Sequence, residues 1–374
     1  MPGALRSAVI LVLLLCKELV GWLFSLLPEL PMSRVTKLLS ALFLSLPLVA
    51  GAACEDPAAP IDEQGFVAIN GIEQWVTIKG QRCGNPVVLM VHGGPGNPLT
   101  PTAHNVFGAW EKDFTLVHWD QRGAGMTWGR NRPAEDEVLT MEQLIADGIG
   151  VAGYAARHLG KPRLLLWGSS WGSMLGIQMA HAKPALFDAY IGAVQVISYK
   201  ENEAALYGRL LQLARAANDR DSIGKLEALG APPWTNPRAF GIARRIDRQY
   251  EARVTDPAPG WWWKPAPLYA TPKYEADYEA GEDYSFLQFV GWKGDGMFSR
   301  YDLYRMGTRF SLPVYFVMGQ EDMLSAPDVA RRYFDRIEAS HKRFVVVPRA
   351  GHDPNGPMIA AQLQVLREAA ARTQ

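Results

Sequence analysis

The segment around residue 170 constrains this chain more than any other. Residues 163–167 (RLLLW) form an apolar run of strand length, and residues 173–182 have helical character. Gly168-Ser169-Ser170-Trp171-Gly172 joins them. A G-x-S-x-G pentapeptide alone is unspecific. Between a strand and a helix it describes a turn so tight that only glycine fits beside the serine, which lifts the hydroxyl clear of the sheet. That places a candidate nucleophile, Ser170, at the carboxyl end of a buried strand.

The rest of the chain supplies a sheet for that strand. Segments with strand character run through 66–69, 74–78, 87–91 (VVLMV), 114–118 (FTLVH), 189–196, 313–318 (PVYFVM) and 343–347. Continuous apolar runs of this length indicate strands covered on both faces. Helical spacing appears over 141–159, 326–337 and 357–371, and strand–helix alternation of this kind predicts a parallel sheet with crossover helices. The alternation breaks at 197–307. There one helix (203–217) precedes a loop-rich stretch dense in proline and aromatic residues, including Pro232, Pro233, Trp234, Trp261, Trp262 and Trp263. The expected layout is a core over 54–196 and 308–374 with an inserted cap over 197–307.

Lys plus Arg equals Asp plus Glu at 38 each, so no basic excess exists to hold a nucleic acid. The three cysteines form neither a disulfide scaffold nor a C-x-x-C zinc spacing, and H-E-x-x-H is absent. No metal and no cofactor is expected.

A serine alcohol needs a base within hydrogen-bond reach. In an open parallel sheet, chemistry gathers beyond the carboxyl ends of the strands. His341 precedes the strand 343–347 and falls on the wrong side. His352 comes after it, in Arg349-Ala350-Gly351-His352, and can reach the edge that carries Ser170. The residue that orients the imidazole should leave a neighbouring strand end. Gly319-Gln320-Glu321-Asp322 does so, and Asp322, three residues past the turn glycine, is preferred to Glu321. The order Ser170, Asp322, His352 is the Ser…Asp…His order of one hydrolase architecture. An oxyanion would be held by the backbone N–H of Trp171 and by one from His92-Gly93-Gly94-Pro95-Gly96. Pro95 has no N–H, so Gly93 or Gly94 supplies the second donor.

The HGGPG turn, Trp119-Asp120-Gln121-Arg122-Gly123-Ala124-Gly125 and the GSSWGS segment at 168–173 together resemble the proline iminopeptidase branch of the α/β-hydrolase superfamily. The resemblance covers about 65–196 and 308–374. It implies the α/β-hydrolase fold: a mostly parallel sheet with helices on both faces and a helical cap. It also implies a serine hydrolase that works through an acyl-enzyme, with Ser170, Asp322 and His352 as nucleophile, acid and base. Asp120 and Arg122 would shape the loop beside the site. A serine at the elbow excludes the dehalogenase and epoxide hydrolase branches, which carry aspartate there.

The cap departs from the family. Neither W-x-x-W-E nor A-R-I-E-N-H-Y-F, the segments whose glutamates hold a substrate's free amine, is found. Glu201 and Glu203 at the cap entrance are the substitutes available. The alternative for them is a solvated helix start. The expected substrate is a short peptide losing its N-terminal residue. A carboxylesterase or amidase of apolar acyl groups, or a binding protein that has lost the chemistry, are the alternatives. An aromatic lid (Trp234, Trp261, Trp262, Trp263, Tyr284, Phe286, Phe289, Trp292) favours apolar groups, although most of these rings are expected only to pack the cap.

Residues 1–53 read as a leader. Arg34 and Lys37 precede an apolar run at 38–49 and Ala50-Gly51-Ala52, the layout of a secretory signal peptide starting at Met32. Such a leader implies export to the periplasm or medium, with an N-terminal anchor as the alternative. Cleavage before Ala53 leaves Cys54 and Cys83. They can pair in an oxidising compartment, or Cys54 can carry a lipid anchor.

Overall fold

The computed structural model describes residues 54–134 and 137–372. The leader expected over 1–53 lies outside them. Among the described residues no helix is long and apolar enough to cross a membrane.

The chain enters through a hairpin, β1 (Ile61–Ile69) and β2 (Ile72–Gly80). Asn70 and Gly71 turn it with φ of 46° and 85°, the left-handed pair that suits strand twist in a two-residue turn. The later strands are β3 (Val87–Val91), β4 (Thr115–Trp119), β5 (Leu164–Ser169), β6 (Phe187–Ala193), β7 (Val314–Gly319) and β8 (Lys342–Val347). The described residues form one eight-stranded sheet in the order β1-β2-β4-β3-β5-β6-β7-β8. β2 is antiparallel to β1 and β4, and every other pairing is parallel.

Each central strand buries both faces, as its apolar run requires. Val88 and Met90 of β3 join one core with Leu165, Trp167, Val317 and Leu366. Val87, Leu89 and Val91 face the other way, into a core with Leu144, Leu166, Leu175 and Phe316. Helices cover those faces: α1 (Met141–His158), α2 (Trp171–Ala182), α7 (Pro327–Asp335) and α8 (Gly356–Ala371). A capping box starts α1, with Thr140 and Gln143 each satisfying the other's backbone N–H.

Between β6 and β7 lie α3 (Tyr199–Ala216), α4 (Arg220–Leu229), α5 (Pro237–Glu251) and α6 (Pro272–Val290). The expectation of one helix followed by loops is therefore corrected. Pro237 and Pro272 stand in the first turn of α5 and α6, where a missing N–H costs nothing. Asn236 and Thr271 cap those helices by accepting from Arg238 and Tyr274 N–H at 2.9 and 3.2 Å. The prolines start helices instead of excluding them.

Cys54 and Cys83 are joined by a disulfide with Cα atoms 5.6 Å apart. It ties the segment before β1 to the turn after β2.

Candidate active site

β5 ends at Ser169 and α2 begins at Trp171, so Ser170 is the whole of the turn. Its φ of 53° is a left-handed conformation that a non-glycine residue adopts only where its surroundings force it. The flanking glycines are required by space. A Cβ on Gly168 would lie 2.3 Å from Gly172 O, and one on Gly172 only 2.0 Å from Val91 O. Ser173 holds the turn from inside, its N–H and its hydroxyl donating to Ser170 O at 2.8 and 2.6 Å.

The structure brings Asp322 and His352 to this turn from the ends of β7 and β8. His352 Nε2 is 2.8 Å from Ser170 Oγ, and His352 Nδ1 is 3.1 and 3.2 Å from the Asp322 carboxylate oxygens. With a carboxylate facing Nδ1, that nitrogen carries the proton and Nε2 is left to accept from the serine hydroxyl. The Ser325 N–H donates to Asp322 Oδ1 at 2.8 Å and fixes the carboxylate. Burial works against a charged His352 ring, but Asp322, aided by Asp353 and Glu251, outweighs it and pushes the ring up to about 9. The arrangement is able to deprotonate an alcohol and return the proton to a leaving group. His341 lies elsewhere, 3.2 Å from Glu368.

Gly93 sits against the elbow: a Cβ there would be 3.2 Å from Ser169 O and 3.4 Å from Ser170 Cβ. Gly94, at φ 111°, instead packs on Gly96 and Asn97. Both line the same cavity as Ser170 and Trp171. His92 braces the turn. Its Nδ1–H donates to Gly93 O at 2.8 Å while Nε2 accepts from Gln121 N–H at 3.2 Å. Burial holds His92 down to about 4, so that pattern belongs to the neutral ring. Gln121 completes the brace, donating to His92 O at 3.0 Å and accepting from Trp171 Nε1–H at 2.9 Å. Asp120 accepts from Thr100 Oγ1–H and Met126 N–H at 2.6 and 2.9 Å, and Arg122 is bonded to Asp147 at 2.9 Å. Both shape the loop and neither touches Ser170 or His352.

A cavity of about 1370 Å³ opens over Ser170 beneath the cap. Glu201 and Glu203 do not line it. Glu201 is held by Arg332 at 2.8 Å, and Glu203, buried, by Arg244 at 3.2 Å. Each already has an arginine partner, although Glu203 Oε2 lacks a hydrogen-bond partner, and the cavity lies away from both, so the structure does not bring them to the place where a substrate was expected to meet them. Two acids that sequence reasoning missed, Asp247 and Glu251 on consecutive turns of α5, do line it. They are 2% and 8% exposed, yet Asp247 Oδ1 and Glu251 Oε2 have no hydrogen-bond partner. Burial comes first among the causes that push Asp247 up to about 7 and Glu251 up to about 8, and neighbouring carboxylates add to it. A signal existed. Arg245-Ile246-Asp247-Arg248-Gln249-Tyr250 keeps the Arg, Ile and Tyr of R-I-E-N-H-Y, with aspartate in the glutamate's place and Arg248 and Gln249 where that pattern has Asn and His. Of the expected aromatic lid, Trp263, Phe286 and Phe289 reach the cavity, whereas Trp234 and Trp262 are packed away and Trp261 and Trp292 face solvent.

The family described as alpha/beta hydrolase fold matches residues 86–356. A protein of Bacillus subtilis named as a probable aminopeptidase is 25% identical over 303 residues, spanning 77% of this chain and 90% of that protein. A proline iminopeptidase of Clostridioides difficile is 24% identical over 289 residues, spanning 74% of this chain and 88% of its own. Among solved structures, the proline iminopeptidase of Mycobacterium smegmatis gives a TM-score of 0.56 at 19% identity, over 83% of this chain and all of that one. The matched span holds the elbow, both companion residues and the glycine turn; the chain is similar to proline iminopeptidases and belongs to the alpha/beta hydrolase fold family.

Proposed function

We propose that this protein is a serine aminopeptidase that removes N-terminal residues from short peptides. The observation that carries the reading is the pair of buried carboxyls, Asp247 and Glu251, each with an oxygen lacking a partner in the cavity that holds Ser170. Burial and the neighbouring carboxylates favour the protonated form of both, against Arg244 and His352, which pull Asp247 toward the charged form, and His352, which does the same to Glu251. An entering ammonium reverses that balance, since opposite charge favours ionisation. A free amino terminus therefore has two waiting partners. The proline iminopeptidase named above and the probable aminopeptidase of Bacillus subtilis support the same reading.

The side chains suffice for the chemistry. As the bond from Ser170 Oγ to the acyl carbon forms, His352 Nε2 takes the hydroxyl proton. The N–H groups of Trp171 and Gly93 receive the negative oxygen. His352 then gives the proton to the leaving amine as the C–N bond breaks. Water, deprotonated by the same nitrogen, cleaves the acyl-enzyme and restores the serine. Asp322 keeps the ring in the required tautomer throughout.

Trp171, Phe286, Phe289 and Phe298 also line the cavity, which favours a second reading as an esterase of apolar acyl groups. One comparison separates the two. The first reading predicts that kcat/KM for aminoacyl anilides exceeds that for their N-acetylated forms by about 10²-fold or more. Asp247→Asn should then depress the free-amine substrates far more than 4-nitrophenyl esters. Equal rates on free and acetylated substrates would leave the esterase. Export completes the proposal: it rests on the leader over 1–53 and on a disulfide that needs an oxidising compartment. N-terminal sequencing of the native protein, beginning at Ala53, is its test.

A further inference from the structure

Glu251 also touches the site through its other oxygen. Its Oε1 accepts the backbone N–H of His352 at 2.7 Å, although the two residues are 101 apart in sequence and belong to the cap and the core. The contact is close enough to dictate its neighbour. A Cβ on Gly351 would fall 1.8 Å from Glu251 Oε1 and 2.2 Å from its Cδ, so the carboxyl occupies the space a side chain there would need. A second tie lies five residues past the end of that helix, at Asp256. Asp256 N–H donates to Arg349 O at 2.9 Å, and Arg349 Nε–H donates to Asp256 Oδ1 at 2.7 Å. Asn355 Nδ2–H bridges Asp256 O and Arg349 O at 3.0 Å each. The segment at 349–355 is thus clasped by the last residue of α5 and by Asp256 in the segment that follows it. Arg349 itself sits at φ 54°, a conformation that the clasp helps to impose.

We propose that Glu251 is a positioning residue for His352, holding the histidine loop to cap helix α5 so that Nε2 stays within reach of Ser170 Oγ. Among the described residues, this cap carboxyl is the acceptor for the His352 backbone N–H. The cap therefore acts on the base as well as covering the substrate, and displacement of α5 loosens the histidine. The consequence rests on the reading of His352 as the base, and His352→Ala tests that reading separately. The groups that face the imidazole are Asp322 and Ser325 from the turn after β7, Ser170 from the elbow, Asp353 from its own loop, and Glu251 from α5, with Asp247 and Arg244 behind it. Glu251 stands among the carboxylates that raise the ring.

The test uses the full mature chain and 4-nitrophenyl acetate, which has no amine, so that amine recognition does not enter. Glu251→Ala is expected to lower kcat about 10²-fold with little change in KM, the size of loss that attends slight misplacement of a catalytic group. Glu251→Gln keeps an oxygen for the His352 N–H. It is expected to restore most of kcat at high pH and, being unable to ionise beside the ring as Glu251 does above about 8, to move the acid limb of the kcat profile to lower pH. Wild-type kcat in Glu251→Ala, with His352→Ala inactive, overturns the positioning role and leaves the triad reading intact. If Glu251→Ala loses its cooperative thermal transition, Glu251→Gln decides alone: full kcat with a shifted limb supports the role, and an unshifted limb or a loss as deep as that of an inactive His352→Ala overturns it. Activity surviving in His352→Ala overturns the underlying reading, and the proposal with it.

Discussion

Two histidines of this site, one buried and one half-buried, are driven in opposite directions. Burial holds His92 down to about 4, while Asp322 carries His352 up to about 9 despite burial. The brace of the glycine turn is therefore already neutral at the pH where His352, the proposed base, still holds its proton. Only the neutral imidazole accepts the serine proton, so kcat/KM is expected to rise with pH toward about 9, close to tenfold per unit well below that point. A pH series on one fixed substrate measures it. A profile that is flat through the neutral range would contradict the assignment of His352 as base. Ser170, Asp322 and His352 were legible in the sequence because apolar runs mark the strands, and the residues just past the end of a run lie at the chemical edge of the sheet. Asp247 and Glu251 were not legible in that way. They lie on a helix that the proline-rich composition hid, and Asp247 is an aspartate where a glutamate was sought.

At the level of elements, the elbow is held by backbone against backbone. Gly172→Ala would drive a Cβ to 2.0 Å from Val91 O, a main-chain atom of β3 that has nowhere to move. We expect a destabilisation on the order of 3 kcal/mol or more together with loss of activity. Gly208 is the control, an exposed glycine within α3 whose added Cβ meets nothing within 4 Å. Gly208→Ala should stabilise by about 1 kcal/mol through helix propensity alone. Chemical denaturation of both variants checks the pair, and equal effects would show that the elbow tolerates side chains. The strands were located from sequence, yet β1 and β2 are longer than their apolar segments. In β1, Asp62, Gln64, Phe66 and Ala68 are exposed at alternate positions along an edge strand, and the Asn70-Gly71 turn that fixes its register was the missed signal. The cap helices α5 and α6 escaped because their signals, proline in the first turn and a capping Asn or Thr, also describe loops, and α4 begins on a capping Asp219 that reads the same way.

For the whole molecule, the disulfide links the first described residue to the sheet across a sequence separation of 29. Chain entropy for a loop of that length suggests roughly 3–4 kcal/mol of stabilisation. Cys83→Ser should therefore lower the denaturation midpoint, and reductant should lower that of the wild type but not of the variant. An unchanged midpoint in the variant would mean that the bridge constrains little. Sheet, elbow, histidine loop and cap converge on one atom, the Ser170 hydroxyl, and the assignment of a serine hydrolase stands or falls there. The direct measurement is mass spectrometry of folded protein treated with a fluorophosphonate. The predicted result is a single phosphonyl adduct on the peptide that contains Ser170, absent from Ser170→Ala and lost or greatly slowed in His352→Ala. Folded wild-type protein that takes up no probe, or takes it up at another serine, would contradict that assignment.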